Sequence, residues 1–231
     1  MVWPGGARGG ALFADRVDGG RRLARALERY RDAAGAIVLG LPRGGVPVAK
    51  AVAEHLQLPL DVYVVRKIGH PRQPELAIGA IASGGVMVSA PGMATGGLPA
   101  GVVEEVVARE RAEIERRERA YRGDRPPLEL ADRTVIVVDD GLATGSTMLA
   151  AVRAIRAAGP ERIVVAVPVG STSACGALRE VADQVVCLES PPYFRSVGEW
   201  YATFGQTSDA EVQAILGAEE RSASREDAAG S

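Results

Sequence analysis

Apolar and polar positions along the chain keep to two rhythms, one helical and one of short continuous runs. Leu23, Leu27 and Tyr30 recur at helical spacing behind the candidate caps Asp15 and Asp18, which predicts an amphipathic helix near 15–32. Ala36 to Leu39 is a short apolar run closed by Gly40; LPRGG follows, then helical spacing from Val46 to Leu56. This is the pattern of strand, tight glycine loop and helix. Leu60 to Val65 predicts a strand that ends in the basic pair Arg66 and Lys67. The following stretch, IGHPRQPE at 68–75, is rich in turn formers and polar side chains and predicts an exposed, mobile loop. Leu76 to Ala82 and Val86 to Ser89 flank Ser83-Gly84-Gly85, which predicts two short strands joined by a hairpin turn, and 90–101 reads as a Gly- and Pro-rich connector.

From Val102 to Arg122 the chain is densely charged, with Glu105/Arg109, Glu113/Arg117 and Glu115/Arg119 in favourable i, i+4 order and Val107, Ile114 and Tyr121 on one side. The spacing predicts a solvated helix with a thin apolar stripe, ended by Pro126-Pro127. Thr134 to Val138 then reads as a strand buried on both faces of a parallel sheet. Met148 to Ala158 has helix-forming composition and stops at Gly159-Pro160; strand 163–167, helix 171–182 and strand 185–188 complete the alternation. Such alternation predicts an α/β fold, an open and mostly parallel sheet with helices on both faces and ligand sites at the carboxyl ends of the strands. The 231 residues are within reach of one such domain over 1–216, with its core at about 35–190. Residues 217–231 are small, charged and without apolar periodicity, and read as a disordered tail.

Composition narrows the classes. With 47% hydrophobic, 24% charged and 4% aromatic residues, the core must be built from Ala, Val, Leu and Ile, and disorder of the whole chain is excluded. A net charge of −2 gives no electrostatic footprint for nucleic acid or an anionic membrane. Two cysteines, Cys175 and Cys187, and two histidines make neither a disulfide framework nor a His/Cys zinc site. The amino terminus lacks the pattern of a signal peptide and no apolar run is long enough to span a bilayer, so a cytoplasmic location is expected.

The chemistry concentrates in VIVVDDGLATGST, Val135 to Thr147. Two carboxylates, Asp139 and Asp140, stand at a strand's end, and a loop of small residues leads into a helix. Backbone N–H groups and the helix dipole at such a junction can hold a phosphate, with hydroxyls of Thr144, Ser146 and Thr147 as added donors. The lysine of a GxxxxGK[ST] loop is absent and no GxGxxG follows a strand, which sets aside ordinary triphosphate and dinucleotide sites. Bare burial would make the acidic pair repel, so it calls for polyols, cations or water in front of it. Read alone, the segment is also that of a capped helix after a core strand.

This segment resembles the fingerprint of the type I phosphoribosyltransferases: an apolar strand, two acidic residues and a loop of the form xxxTG[GS]T. The resemblance implies that Asp139 and Asp140 meet the ribose hydroxyls of 5-phosphoribosyl 1-pyrophosphate (PRPP) and that Ala143, Thr144, Gly145, Ser146 and Thr147 hold its 5′-phosphate. LPRGG resembles the family's pyrophosphate loop, with Pro42, Arg43 and Gly44 facing the leaving group, often through a non-proline cis peptide; alone it would be an ordinary glycine turn. Arg66 and Lys67 match the basic pair before the flexible catalytic loop of adenine- and orotate-type relatives, with His70 inside that loop as a candidate proton donor. The 6-oxopurine enzymes place an aspartate where Ala143 stands here, which disfavours hypoxanthine or guanine as acceptor.

By the same resemblance, base recognition falls to a hood drawn from about 10–20 and 190–210. Phe194 and Trp200 are the candidates to pack on a base, within a run that also holds Tyr193, Tyr201 and Phe204; such a cluster also suits a core or a dimer interface. The whole pattern, through PPYF and VGEWY, is similar to a bacterial group of predicted phosphoribosyltransferases with no assigned substrate. It implies displacement of pyrophosphate from ribose C1 by a base or amine, with Mg²⁺ carried mainly by the substrate near Asp139 and Asp140. Asp139, Asp140, Arg43 and Lys67 are then the catalytic set, and the protein is expected to be a homodimer acting on small molecules. The alternative on the same fold is a non-catalytic module that senses PRPP or a nucleotide, which needs the phosphate loop and acidic pair but not Arg43 or the 66–75 segment. A phospho-acceptor receiver domain would leave the LATGST loop without a purpose.

Overall fold

The computed structural model describes residues 11–70, 73–89 and 100–217, with side chains described except at 70, 73–78, 89, 100 and 102. Eight strands form in chain order: Ala36–Gly40 (β1), Leu60–Val62 (β2), Val65–His70 (β3), Gln73–Ala82 (β4), Val86–Ser89 (β5), Thr134–Val138 (β6), Arg162–Val169 (β7) and Gln184–Glu189 (β8). The α-helices are Arg16–Ala26 (α1), Gly45–Leu56 (α2), Ala100–Arg122 (α3), Ser146–Ala157 (α4) and Thr172–Arg179 (α5), with a further helical stretch at 209–217.

Five strands make a parallel sheet in the order β2-β1-β6-β7-β8, the mostly parallel α/β architecture that the sequence predicts. Period-two alternation divides each strand between two cores. In β6, Ile136 and Val138 face one layer with Leu23 of α1, Leu27 just after it, and Val48, Val52 and Leu56 of α2. Val135 and Val137 face the other, with Met148, Val152, Ile155 and Leu178 of α4 and α5. All these side chains are buried. Each contributes about 1.5–3 kcal/mol by leaving water, which is why a chain with so few aromatics holds together.

From β1 the chain runs through α2 to β2 on one side, whereas β6 lies on the other side of β1 and leads through α4 to β7. The strand order therefore reverses between β1 and β6, and the loops that leave these two strands flank a crevice at their carboxyl ends.

Several elements differ from the sequence reading. α1 stops at Ala26, where the Leu27 N–H turns back to the Ala24 carbonyl and a short 3-10 turn, Glu28–Tyr30, takes over. The predicted strand 60–65 breaks after Val62. Arg66 and Lys67 thus lie inside a second strand, and most of the expected mobile loop 68–75 is an antiparallel ladder instead. Ile68 is buried and pairs with Gly79, with register shifts on either side of Gly69 absorbing the irregular sequence. Residues 71 and 72 of that segment lie outside the described residues, as do 90–99 of the connector and 218–231 of the expected tail. The predicted hairpin across Ser83-Gly84-Gly85 is present as β4 and β5, giving a three-stranded sheet β3-β4-β5.

The charged helix α3 packs on this small sheet. Its thin apolar stripe is seated through Ile114 and Tyr121, both buried. Two of its charges are also taken inside: Glu110 accepts from Arg66 Nε and Nη2 at 2.8 and 2.7 Å, and Arg122 Nε donates to Asp61 Oδ1 of β2 at 3.1 Å. Among the described residues no helix is long and apolar enough to cross a membrane.

Candidate functional site

The loop after β1 reaches the crevice because two glycines allow α2 to start against β6. A Cβ at Gly45 would lie 2.7 Å from the Val138 carbonyl oxygen and 2.8 Å from Asp139 Cα, and one at Gly44 would collide with the Asp140 carboxylate. Pro42-Arg43 is a cis peptide bond, as the resemblance to a pyrophosphate loop implied. Arg43 extends from this loop with about a third of its side chain exposed, and its nearest carboxylate is Asp209, 3.6 Å from Nη1.

On the other side of the crevice, Asp139 and Asp140 leave the end of β6. Asp139 Oδ1 accepts the Asp140 N–H at 2.8 Å, which turns the two carboxylates into the crevice mouth. Asp140 is held from behind as well, because the Tyr201 hydroxyl donates to its backbone carbonyl at 2.6 Å and Arg16 Nε to its Oδ2 at 2.8 Å. Burial is the main force on both acids and raises both above the ordinary aspartate range; the Asp140 charge pushes Asp139 further, while Arg16 pulls Asp140 back down.

The loop 141–145 continues over the top of β6 and is fixed to the end of β7. Leu142 N donates to Val169 O at 3.0 Å, Ser171 N to Leu142 O at 2.8 Å, and the Ser171 hydroxyl to Ala143 O at 2.7 Å. Gly145 adopts a left-handed conformation, φ 72°, as the residue that turns the loop into α4, and it leaves the first-turn N–H groups of that helix facing outward. Thr144, Ser146 and Thr147 are at the surface there, and with Asp139 and Val197 they line a cavity of about 180 Å³. The geometry suits a phosphate at a helix amino terminus.

A second cavity, about 360 Å³, adjoins this one across Asp140. It is lined by Arg16, Arg43, Gly44, Asp140, Phe204 and the 205–207 segment. Above it the segments around Phe13 and Tyr201 meet. Phe13 pairs with Tyr201 in a parallel bridge, Leu12 N and Phe13 N donate to Trp200 O, and Phe13, Tyr201 and Val169 form a small core of their own. Phe194 and Trp200, the sequence's candidates for a base, pair at 6.0 Å between ring centroids and pack on that small core rather than on the cavity floor. Trp200 Nε1 is buried with no acceptor among the described residues.

The structure thus brings together Asp139, Asp140, Ala143, Thr144, Gly145, Ser146, Thr147, Pro42, Arg43 and Gly44 on one rim. It places Arg66 elsewhere, in its ion pair with buried Glu110, and Lys67 is exposed on β3; neither lines the two cavities. The side chain of His70 lies outside the described residues. Arg16, Ser171, Tyr201 and Phe204 support the rim although no local motif marks them, since each acts through a partner far away in the chain. Cys175 and Cys187 both border Gly170, and the Cys187 thiol donates to the Glu189 carbonyl at 3.2 Å.

The model of the phosphoribosyl transferase domain matches residues 10–203. Two proteins from strains of Mycobacterium tuberculosis, one of them named "Putative phosphoribosyl transferase Rv0571c", are 47% identical over 206 residues, covering 89% of this chain and 46% of theirs. The chain therefore spans about half the length of the curated relatives it matches. The crystal structure of TT1426 from Thermus thermophilus is 44% identical, covers 88% of this chain and 97% of its own, and superposes with a TM-score of 0.79. An acidic pair and a small-residue loop at the β1/β6 reversal, within a match of this extent, mean that the chain belongs to the phosphoribosyl transferase domain family.

Proposed function

We propose that the crevice binds PRPP and that the protein transfers its phosphoribosyl group to a base or amine with release of pyrophosphate. The observation that carries this reading is the acidic pair Asp139-Asp140, set between a loop with outward N–H groups on one side and the Pro42-Arg43-Gly44 loop on the other. In this reading Thr144, Ser146, Thr147 and the α4 amino terminus hold the 5′-phosphate. Asp139 and Asp140 accept from the ribose hydroxyls and favour the positive charge that develops at C1 as pyrophosphate departs. Arg43 meets the leaving group.

No three His, Cys, Asp or Glu side chains cluster as a metal cage among the described residues. A hard cation fits here only beside Asp139 and Asp140, with substrate oxygens completing its shell. When bound, Mg²⁺ neutralises charge on the pyrophosphate oxygens. The tethering of Arg66 to Glu110 favours a second reading, a module that binds PRPP without turning it over. Calorimetric titration with PRPP, with and without Mg²⁺, followed by a screen of nucleobases and amines for pyrophosphate release, tests both. Mg²⁺-dependent binding with release supports transfer, binding without release under any acceptor supports sensing, and absence of binding under both conditions refutes the site.

A further inference from the structure

Pyrophosphate leaves with several negative charges, so the reaction proposed above needs cations on the Arg43 side of Asp140. Of the basic pair expected there, Lys67 is exposed on β3 and lines neither cavity, and Arg66 has its guanidinium committed to Glu110, a carboxylate only 8% exposed. The cavity that holds Arg43 and Gly44 contains another guanidinium, that of Arg16 at the start of α1. We infer that Arg16 is a catalytic residue of this site, bridging the ribose carboxylate Asp140 to the departing pyrophosphate.

The side chain is fixed for that role from three directions. Arg16 Nε donates to Asp140 Oδ2 at 2.8 Å, Nη1 donates to the Gly205 carbonyl at 2.6 Å, and the guanidinium carbon lies 3.9 Å from the centre of the Phe204 ring. A guanidinium has five N–H donors in a rigid fork. Two are used by these contacts, and among the described residues Nη2 meets no protein acceptor. The side chain lines the same cavity as Asp140 and the Arg43-Gly44 segment. Arg16 lies there at 13% exposure, already ordered, so its remaining donors can take phosphate oxygens with little further loss of side-chain freedom.

This inference rests on the PRPP reading, and the test separates the two. The full chain and its Arg16→Gln and Arg16→Lys variants are titrated calorimetrically with Mg²⁺-pyrophosphate and, separately, with ribose 5-phosphate. Arg16→Gln is expected to weaken pyrophosphate by about tenfold or more, the effect of one lost charge-assisted contact, while ribose 5-phosphate changes by about twofold or less. Arg16→Lys, which keeps the charge and loses the fork, is expected to recover part of the pyrophosphate affinity. Equal losses on both ligands would reduce Arg16 to a support for Asp140 and overturn the inference, as would unchanged pyrophosphate binding in Arg16→Gln. Failure of the unmodified chain to bind either ligand would overturn the PRPP reading and this inference with it.

Discussion

Asp139→Asn is expected to make the protein more stable and to disable it. The side chain is close to isosteric, and its Oδ1 can still accept the Asp140 N–H, so the backbone turn at the end of β6 is kept. What disappears is one of two neighbouring negative charges, the one without a hydrogen-bonded cation, since Arg16 reaches Asp140. Two unit charges about 4 Å apart repel by about 1 kcal/mol in water and about 4 kcal/mol at an effective permittivity near 20. Arg16 offsets part of this, so a gain of about 1–2 kcal/mol is expected at neutral pH, worth about 2–8 °C in Tm for a protein of this size.

The direction with pH follows from the raised pKa of both aspartates. A carboxyl that binds its proton more tightly when folded contributes stability below its unfolded value of 3.8 and loses it as pH rises through the folded value. The advantage of Asp139→Asn over the native chain is therefore largest above that raised range and shrinks as the pH falls toward 3.8. Thermal unfolding followed by circular dichroism at about pH 7.5 and about pH 4.5 measures both, and the same melt with ribose 5-phosphate shows whether the ligand still raises Tm. A variant less stable than the native chain at the higher pH, or an advantage independent of pH, would refute the account of the acidic pair. An undiminished ligand shift would refute its contact with ribose.

Three further outcomes are expected. Gly44→Ala places a methyl group against the Asp140 carboxylate while leaving an ordinary helical φ of −62° undisturbed, so the fold should persist and PRPP affinity fall by about tenfold or more, read by calorimetry. Tyr201→Phe removes the 2.6 Å hydrogen bond to the Asp140 carbonyl from a nearly buried ring and should cost about 1–2 kcal/mol in urea unfolding; an unchanged midpoint would show the hood to be independent of the rim. Arg122→Ala removes the nearer cation from the buried Asp61 carboxylate, leaving Arg125 at 3.8 Å, and should cost about 3 kcal/mol, with most of it recovered in the Arg122→Ala/Asp61→Asn double variant; no recovery would mean that packing rather than charge is lost.

What could be read from the chain and what could not divides by sequence distance. Thr134 to Val138 and the LATGST loop were legible because strand, acidic pair, turn and helix start are all contiguous and each is set by local chemistry. LPRGG was legible for the same reason. The segment 68–75 misled because its Gly, Pro and His residues favour turns locally, whereas Ile68 and Gly69 pair with Gly79 and Ala77 and His70 with Gln73, in a ladder with register shifts about Gly69. Arg66 looked like a free cation because its partner Glu110 lies 44 residues away on a helix that sequence alone leaves solvated. The concentration of aromatics at 193–204 was visible, but which rings face the cavity was not. Phe194 and Trp200 turn to a satellite core, and Phe204 carries Arg16 instead.

The contact between Arg16 and the Gly205 carbonyl joins residues 189 apart in the chain. During synthesis, the helix that carries Arg16 leaves the ribosome well before its acceptor does. Until then α1 can dock on the growing core with its guanidinium unclamped, while Asp139, Asp140 and the loop after β6 are already in place. Closure of so long a loop adds only a slowly growing entropic cost, so the delay is one of order rather than of difficulty. The crevice is thus assembled in two instalments, first the rim from the loops after β1 and β6, then a roof that waits for the segment around Gly205.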